Sequence, residues 1–458
     1  MLITPRLSDV WRWLLSLLFG APHSRLRILI HGMNYAPELI GVGKYTAELA
    51  EFLAARPYDV EVIAALPHYP GWFVRSPSAW AYTRAIENGI LVTRCPLLLR
   101  KNGRGVWRLL APLSFAIAAA PVVVWRIVRS RPDVVLCIEP TLLSAPIALL
   151  AARLIGARTV LHVQDLEIDA AFATGHLNSG ALRKGSQALE RRLLGRFDAV
   201  VTICQSMAAR LRDKGVPEPR LSVLRNWVDL LKLKPSQPDG FLRALFNVPF
   251  EKRVVLYSGH LGVKQGLSVL LEATSFLARD TGIHVVIAGD GPMAHAIRSA
   301  EPALPNLTVL PLQPPDRLGD LLAMADVHVL PQDPAAADLV FPSKLGSLLA
   351  SGKPVVVVAN PGTELAIWLE GAATVVPAGD AVALAEALRA APLRECQTER
   401  AKAKALAAEL DVSVVLPAFE RCLVQSLDPI SSGNADPVPA NPAAWTSAGD
   451  AGVIAQSA

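Results

Sequence analysis

Asp338-Leu-Val-Phe-Pro342-Ser343-Lys344-Leu345, running on to Ala350-Ser-Gly352-Lys-Pro354 and Val355-Val-Val-Val358, decides the architecture of this chain. It reads as a loop, a helix opened by Ser343, a Gly-Pro turn and a buried strand. That is one helix-to-strand step of a parallel sheet. A helix beginning Pro-Ser-Lys directs free N–H groups, a hydroxyl and a positive charge at one point, which suits a phosphate. Ser is also a common helix cap. The local sequence leaves both readings open.

The same alternation extends outward in both directions. In the first half, short Val/Ile/Leu runs predict strands at 26–31, 60–64, 133–138, 158–163, 199–203 and 221–224, with helices such as 43–55 and 182–194 between them. A Pro-, Lys- and Asp-rich break follows at 229–252, holding a short helix at 242–246. Beyond it, strands are expected at 254–258, 284–288, 307–310, 327–330, 355–358 and 374–376. The predicted fold class is α/β, with two doubly wound Rossmann-like domains facing across a cleft and ligands beyond the carboxyl ends of the strands. A length of 458 residues accommodates two such cores. The expected boundaries are an extension at 1–24, a first domain at 25–229, a linker at 230–252, a second domain at 253–427 and a disordered Pro/Ser/Ala-rich tail at 428–458.

Composition narrows the partners. Hydrophobic residues make up 52% of the chain and charged residues 19%, with a net charge of +5 spread without a long basic block. This points away from nucleic acid and towards a membrane surface or an anionic small molecule. Five cysteines without CxxC spacing argue against a disulfide framework or a zinc site and fit the cytoplasm. Residues 1–20 carry Trp11, Trp13 and a Leu-rich run interrupted by Arg12, so an interfacial or disordered extension and a signal peptide both remain open. Residues 109–125 lack charge and are flanked by Arg104, Arg108, Arg126, Arg129 and Arg131, while Pro112 and Pro121 are expected to break the stretch. A helix lying on an anionic leaflet and a buried domain helix compete here; association without a span is expected.

Glycines mark the loops where chemistry is expected. After the first strand comes Asn34-Tyr35-Ala-Pro37-Glu38, then Gly41-Val-Gly43-Lys44. Gly41 and Gly43 would allow a backbone to approach a phosphate or a sugar, or simply make the turn. The segment is neither a Walker loop nor a dinucleotide fingerprint. In the second half, Gly259-His260-Leu-Gly262-Val-Lys264-Gln265-Gly266 and Gly289-Asp290-Gly291 each follow a strand, placing N–H groups and a cation at the crevice edge. Asp165, Glu167 and Asp169 alternate after another strand. They would form a metal site, or a cap with solvated acids, and Asp165 is also a candidate for orienting substrate.

Taken together, Asn34–Tyr45, Arg225-Asn226-Trp-Val-Asp229, Gly259–Gly266, Gly289–Gly291 and Pro342-Ser-Lys-Leu345 resemble the retaining glycosyltransferases of family 4, with the GT-B fold. Within these, the chain is most similar to the colanic acid biosynthesis group, associated with fucose transfer. The resemblance runs from about Arg27 to Leu427. It implies a GDP- or UDP-linked sugar donor on the C-terminal domain, with no separate cofactor and no metal. It implies an acceptor on the N-terminal domain, a polyprenyl-diphosphate-linked saccharide, with the enzyme held peripherally at the inner face of the cell membrane. Carried over by position, Gly41 and Gly43 would approach the donor phosphate, Lys264 would bind it, and Gly259, Gly289 and Gly291 would border the nucleotide. Ser343 and Lys344 would lie by the diphosphate or the sugar, and Asn226 near the hinge.

Two positions depart from the family pattern. His260 stands where many members have Arg, and the Glu-x7-Glu pair is missing, with Ser347 at its second position and Leu339 near its first. Asp338 and Glu364 are the nearby substitutes. The resemblance implies retention, with the leaving phosphate taking the acceptor proton. Lys264 and Lys344 would stabilise the departing diphosphate and Asp165 would orient the acceptor. A sugar-nucleotide 2-epimerase on the same fold and a non-catalytic subunit of a polysaccharide complex are the alternatives.

Overall fold

The computed structural model describes residues 25–38, 40–69, 74, 80–99, 106–140, 142–166, 180–238, 240–280, 282–334, 341–391 and 397–427. The extension at 1–24, the tail at 428–458, Glu167, Asp169 and Asp338 lie outside them. Two compact units divide the chain: residues up to Arg225 together with those from Leu416 onward, and Asn226–Val415.

The first unit is an eight-stranded sheet in the order β3-β4-β2-β1-β5-β6-β7-β8. Its strands are β1 (Leu26–Gly32), β2 (Tyr58–Ala65), β3 (Thr83–Glu87), β4 (Ile90–Cys95), β5 (Val134–Glu139), β6 (Arg158–Val163), β7 (Ala199–Thr202) and β8 (Leu221–Val223). Helices α1 (Val42–Ala54), α2 (Val106–Ser130), α3 (Ala145–Ile155), α4 (Gly180–Leu194) and α5 (Gln205–Asp213) lie between them. All pairings are parallel except β3 with β4. The chain winds outward both ways from β1, so the carboxyl end of β1 is the topological switch point. There Gly32 pairs with Ile138, and a Cβ on Gly32 would stand 2.8 Å from the Ile138 Cβ.

The hairpin β3–β4 adds a pair of strands that the apolar runs do not announce, because most of β3 is exposed. Its turn is Asn88-Gly89, both at positive φ, as a tight hairpin turn requires. Helix α2 also departs from expectation, since it continues through both Pro112 and Pro121. Ala111, Phe115, Ala119, Val123 and Ile127 recur every four residues and are buried against the unit. Arg126 is buried in a two-pronged ion pair with Glu61, so this flank of the apolar stretch faces inward.

The second unit holds a six-stranded parallel sheet in the order β11-β10-β9-β12-β13-β14. The strands are β9 (Arg253–His260), β10 (Ile283–Asp290), β11 (Leu307–Leu310), β12 (Val327–Pro331), β13 (Val355–Val358) and β14 (Thr374–Val376). Its helices are α6 (Phe241–Leu245), α7 (Leu267–Leu277), α8 (Ala294–Ala300), α9 (Leu318–Ala323), α10 (Leu345–Ala350), α11 (Glu364–Trp368), α12 (Ala381–Ala390) and α13 (Gln397–Glu409), with the first residues of α14 (Val412–Gln425). Val255, Tyr257, Val285 and Ile287 pack into one core, and Val254, Leu256, Val286 and Ala288 into another. Helices cover both faces, so the strands read as continuous apolar runs rather than alternating ones. The switch point here is the carboxyl end of β9.

Residues 230–252 are not a free linker. Leu242 and Val248 are buried in the core of the second unit. Asp320 accepts bonds from the Ser236 N–H at 2.6 Å and the Gln237 N–H at 3.0 Å, and Arg243 reaches Asp326 at 2.7 Å. The division falls instead at Arg225/Asn226, and the expected 253–427 domain loses its last residues to the first unit. The reason lies in α14: Phe419 packs edge-on against His162 at 4.9 Å, and Glu420 takes Tyr58 Oη and Arg56, each at 2.8 Å. Just before that return, Val228 N–H donates to Leu410 O at 2.8 Å and Val412 N–H to Val228 O at 3.0 Å, pairing the two passages of the chain.

Phe419 is fully buried. Phe419→Ala is expected to lower the stability of the first unit by about 3–5 kcal/mol, read from urea unfolding, while leaving the second unit unchanged.

Candidate functional site

In the second unit the candidate site gathers at the end of β9. Gly259 and Gly289 sit side by side in register, and a Cβ on Gly289 would fall 1.8 Å from the Gly259 carbonyl oxygen. Gly291 is equally committed, its φ at 154° and a Cβ there 2.6 Å from Leu261 O. Both glycines are required for the backbones to approach.

Lys344 reaches into this corner from the loop before α10. Its Nζ donates to Ser258 O at 3.1 Å and lies 3.7 Å from the centre of the Tyr257 ring. Gly259, at φ 130°, leaves room for it, since a Cβ there would stand 3.3 Å from the ammonium. The residue as a whole is half-buried, but the charged end is enclosed, and burial pulls its pKa from the usual lysine value down to about 7. Among the described residues no carboxylate pairs with it. His260 is held below the ordinary imidazole value by burial first and by the Lys344 charge second, with Asp290 opposing.

The other expected donor-site residues surround this corner unequally. Lys264 is half-buried in the turn Val263–Gln265 of the same loop, which is pinned to the end of β12 by Asp333 N–H on Lys264 O at 3.1 Å. A Cβ on Gly266 would meet the Gln332 backbone at 2.8 Å, which fixes the same contact. Glu364 opens α11, capped by Thr363, at the carboxyl edge beyond β13. Phe341 packs edge-on against Trp368 at 5.5 Å, tying the Lys344 loop to that helix.

Ser343 departs from expectation. It is exposed, makes no capping bond, and α10 begins only at Leu345 with Lys344 in the cap position. Pro342 O instead accepts the Leu345 N–H at 3.1 Å in a turn that carries the chain past Ser343. Ser347 is buried and donates to Lys344 O at 2.7 Å, so it braces the helix from within.

In the first unit, the loop after β1 is organised by Glu38, to which the glycine pattern of the sequence assigns no role. Its buried carboxylate accepts from Asn34 Nδ2 at 2.9 Å, from the Tyr69 N–H at 3.1 Å and from the His68 N–H at 3.2 Å. Gly43 is the glycine that admits it: a Cβ there would stand 2.6 Å from Glu38 Oε2. The close approach at Gly43 is thus made by a carboxylate of the chain itself. Gly41 caps α1 at φ 68° and is exposed, with only Tyr69 near its open side. Asp165 lies half-buried just past β6, at the same sheet edge as Asn34 with β5 between. Asn226 is the first residue of the second unit, its Oδ1 buried without a hydrogen bond among the described residues.

Comparison with known proteins settles the family. Residues 41–227 match the glycosyl transferase 4-like domain, and residues 252–391 match glycosyl transferases group 1. The chain is 40% identical over 349 residues, 74% of its length and 85% of the relative's, to WcaI of Escherichia coli K12, described as a colanic acid biosynthesis glycosyl transferase. The chain belongs to the family 4 glycosyltransferases. Among solved structures, a sucrose-phosphate synthase from Thermosynechococcus elongatus aligns with TM-score 0.66 at 18% identity, covering 88% of this chain and 99% of that one. HepE of Anabaena, crystallised with UDP-glucose, aligns with TM-score 0.63 at 17% identity over 88% and 100%. Both show the GT-B fold, here made of two doubly wound α/β units. For this glycosyltransferase, the corner at Gly259, Gly289 and Lys344 lies where a doubly wound sheet presents ligands.

Two outcomes follow from these contacts. Gly43→Ala is expected to cost about 1–3 kcal/mol in denaturant unfolding, because the Glu38 carboxylate must move from three donors. For Lys344, the unfolded chain keeps its proton above pH 7 while the folded one releases it. Stability of the ligand-free protein therefore rises from about pH 7 towards the unfolded lysine value, and a flat difference profile against Lys344→Met would refute the assignment.

Proposed function

We propose that this glycosyltransferase moves a sugar, with fucose the first candidate, from a GDP- or UDP-linked donor to a polyprenyl-diphosphate-linked saccharide, with retention. The work is placed at the cytoplasmic face of the membrane, in exopolysaccharide assembly of the colanic acid type. The observation that carries the reading is the enclosed Lys344 ammonium at the glycine-lined end of β9, with no carboxylate paired to it among the described residues. A donor diphosphate supplies the missing negative charge, and its charge grows as the sugar departs, so a preorganised ammonium favours the transition state over the ground state. Lys264, in the turn after β9, adds a second cation from a different loop at that end of the strand. Likeness to the colanic acid relative supports the pathway, and the UDP-glucose held by HepE supports a nucleotide-sugar donor. The first unit takes the acceptor in this reading, with Asp165 orienting it and the leaving phosphate accepting its proton.

Anion binding requires the protonated lysine. The affinity for GDP or UDP is expected to be flat below pH 7 and to weaken by up to about tenfold per pH unit above it, with proton uptake in calorimetry. In Lys344→Met that dependence is expected to vanish.

Incubating the protein with bacterial membranes and radiolabelled GDP-fucose or UDP-sugars tests the reaction. Label is expected in the lipid fraction, and Lys344→Met should lower turnover by about 10²-fold or more without loss of stability. A labelled product outside the lipid fraction would overturn the acceptor in favour of epimerisation. No turnover of any donor by folded protein would leave a non-catalytic subunit.

A further inference from the structure

Helix α2 shows two opposite stripes. Its inner stripe, Ala111 to Ile127, is part of the core of the first unit, while Leu113, Ile117, Pro121, Trp125 and Val128 point outward and are exposed. Ile117 is 68% and Trp125 54% exposed. The residues recur at three or four positions, so they form one ridge about 22 Å long. Helix α3 packs beside α2 and continues the ridge with Leu150 and Leu154, 57% and 62% exposed. A shallow apolar groove lined by Ala120, Pro121, Val124, Trp125, Val128 and Ile147 joins the two helices. An apolar surface of this extent on a folded unit marks a binding face.

Charge selects the occupant. Neither α2 nor α3 contains Asp or Glu. Arg129 is exposed beyond Trp125 and Val128, and Arg153 is exposed beside Leu154, donating to Arg196 O at 3.1 Å. Neither arginine has an ion pair among the described residues. A second copy docked on the same face would set these cations against like charges, whereas an anionic surface satisfies them. Tyr82, exposed and bonded through its hydroxyl to Ala118 O at 2.9 Å, adds an amphipathic ring along the same helix.

We propose that the joined outer faces of α2 and α3 are the surface by which the first unit docks on an anionic lipid bilayer. This deepens the membrane-face reading given above and rests on it for biological sense, though not for its test. The segment Leu110–Ser130 is long and apolar enough to cross a membrane, yet its inner stripe is committed to the protein core. Docking is therefore one-sided: the outer side chains enter the headgroup and upper acyl region, while Arg129 and Arg153 meet lipid phosphates.

The test is co-sedimentation of the full chain with vesicles of phosphatidylcholine alone or mixed with phosphatidylglycerol. Wild type is expected to bind the anionic vesicles. The exposed-face variant Ile117→Glu/Leu150→Glu/Leu154→Glu should lose more than about tenfold in binding. Arg129→Glu/Arg153→Glu should lose the preference for anionic vesicles. Leu231→Glu/Phe250→Glu, at exposed apolar positions of the second unit, should bind as wild type does. Unchanged binding by the triple variant, or absence of binding by wild type, overturns the proposal. A dimer in analytical ultracentrifugation that the triple variant dissolves would assign the face to a second copy instead. Nucleoside diphosphate affinity of the soluble triple variant should match wild type, which separates loss of docking from loss of fold. Vesicle binding without label transfer to lipid would leave the docking face standing and remove the acceptor reading.

Discussion

An ammonium group held over the ring of Tyr257 and against the carbonyl of Ser258, with no carboxylate beside it among the described residues, organises the second unit's working edge. Removing a charge from water is costly, and an aromatic face with one carbonyl offsets only part of the cost. The chain accepts the remainder, as the fall of the Lys344 pKa records. The neighbouring glycines follow from it. Gly259 leaves the ammonium its place, Gly289 lets β10 lie against β9, and Gly291 turns the chain over Leu261. Burial holds His260 below its ordinary value as well, and an anion arriving at the corner would favour the protonated form of Lys344.

The first unit solves the mirror problem at its own switch point. There the buried charge is the Glu38 carboxylate, and it is satisfied internally by Asn34 and the His68 and Tyr69 amides. One switch-point loop is thereby closed from within, while at the other Lys344 has no carboxylate partner among the described residues. The difference is chemical rather than topological: three N–H donors solvate the carboxylate, whereas the described residues give the ammonium a single carbonyl and a ring.

Much of this fold could be read from the chain, because strands covered on both sides become unbroken Val/Ile/Leu runs. β6, β11, β13 and β14 coincide with the runs that announce them. The hairpin at β3 escaped that test, since Thr83–Glu87 is mostly exposed, although Asn88-Gly89 carried the turn signal. The glycine loops and Lys344 were expected together from the chain, and the structure brings Gly259, Gly289 and Lys344 to one corner. The role of Glu38 was not, because two of its three donors are backbone amides thirty residues away, which leave no mark on side-chain identity, and Asn34 alone does not announce it. The same limit hid the outer ridge of α3: Leu150 and Leu154 have the composition of any packed helix, and only the packing of their neighbours shows which side is left bare.

The return of the chain at Leu416 bears on how the molecule is made. Asn226–Val415 is contiguous and leaves the ribosome with every strand of its sheet in hand. The earlier residues of the first unit must wait for α14, because Phe419 and Glu420 pack on His162 and engage Arg56 and Tyr58. During synthesis the order of completion is therefore reversed relative to the order of sequence. The first unit stays unfinished until the residues after Val415 have been made, an interval in which chaperones can act on it.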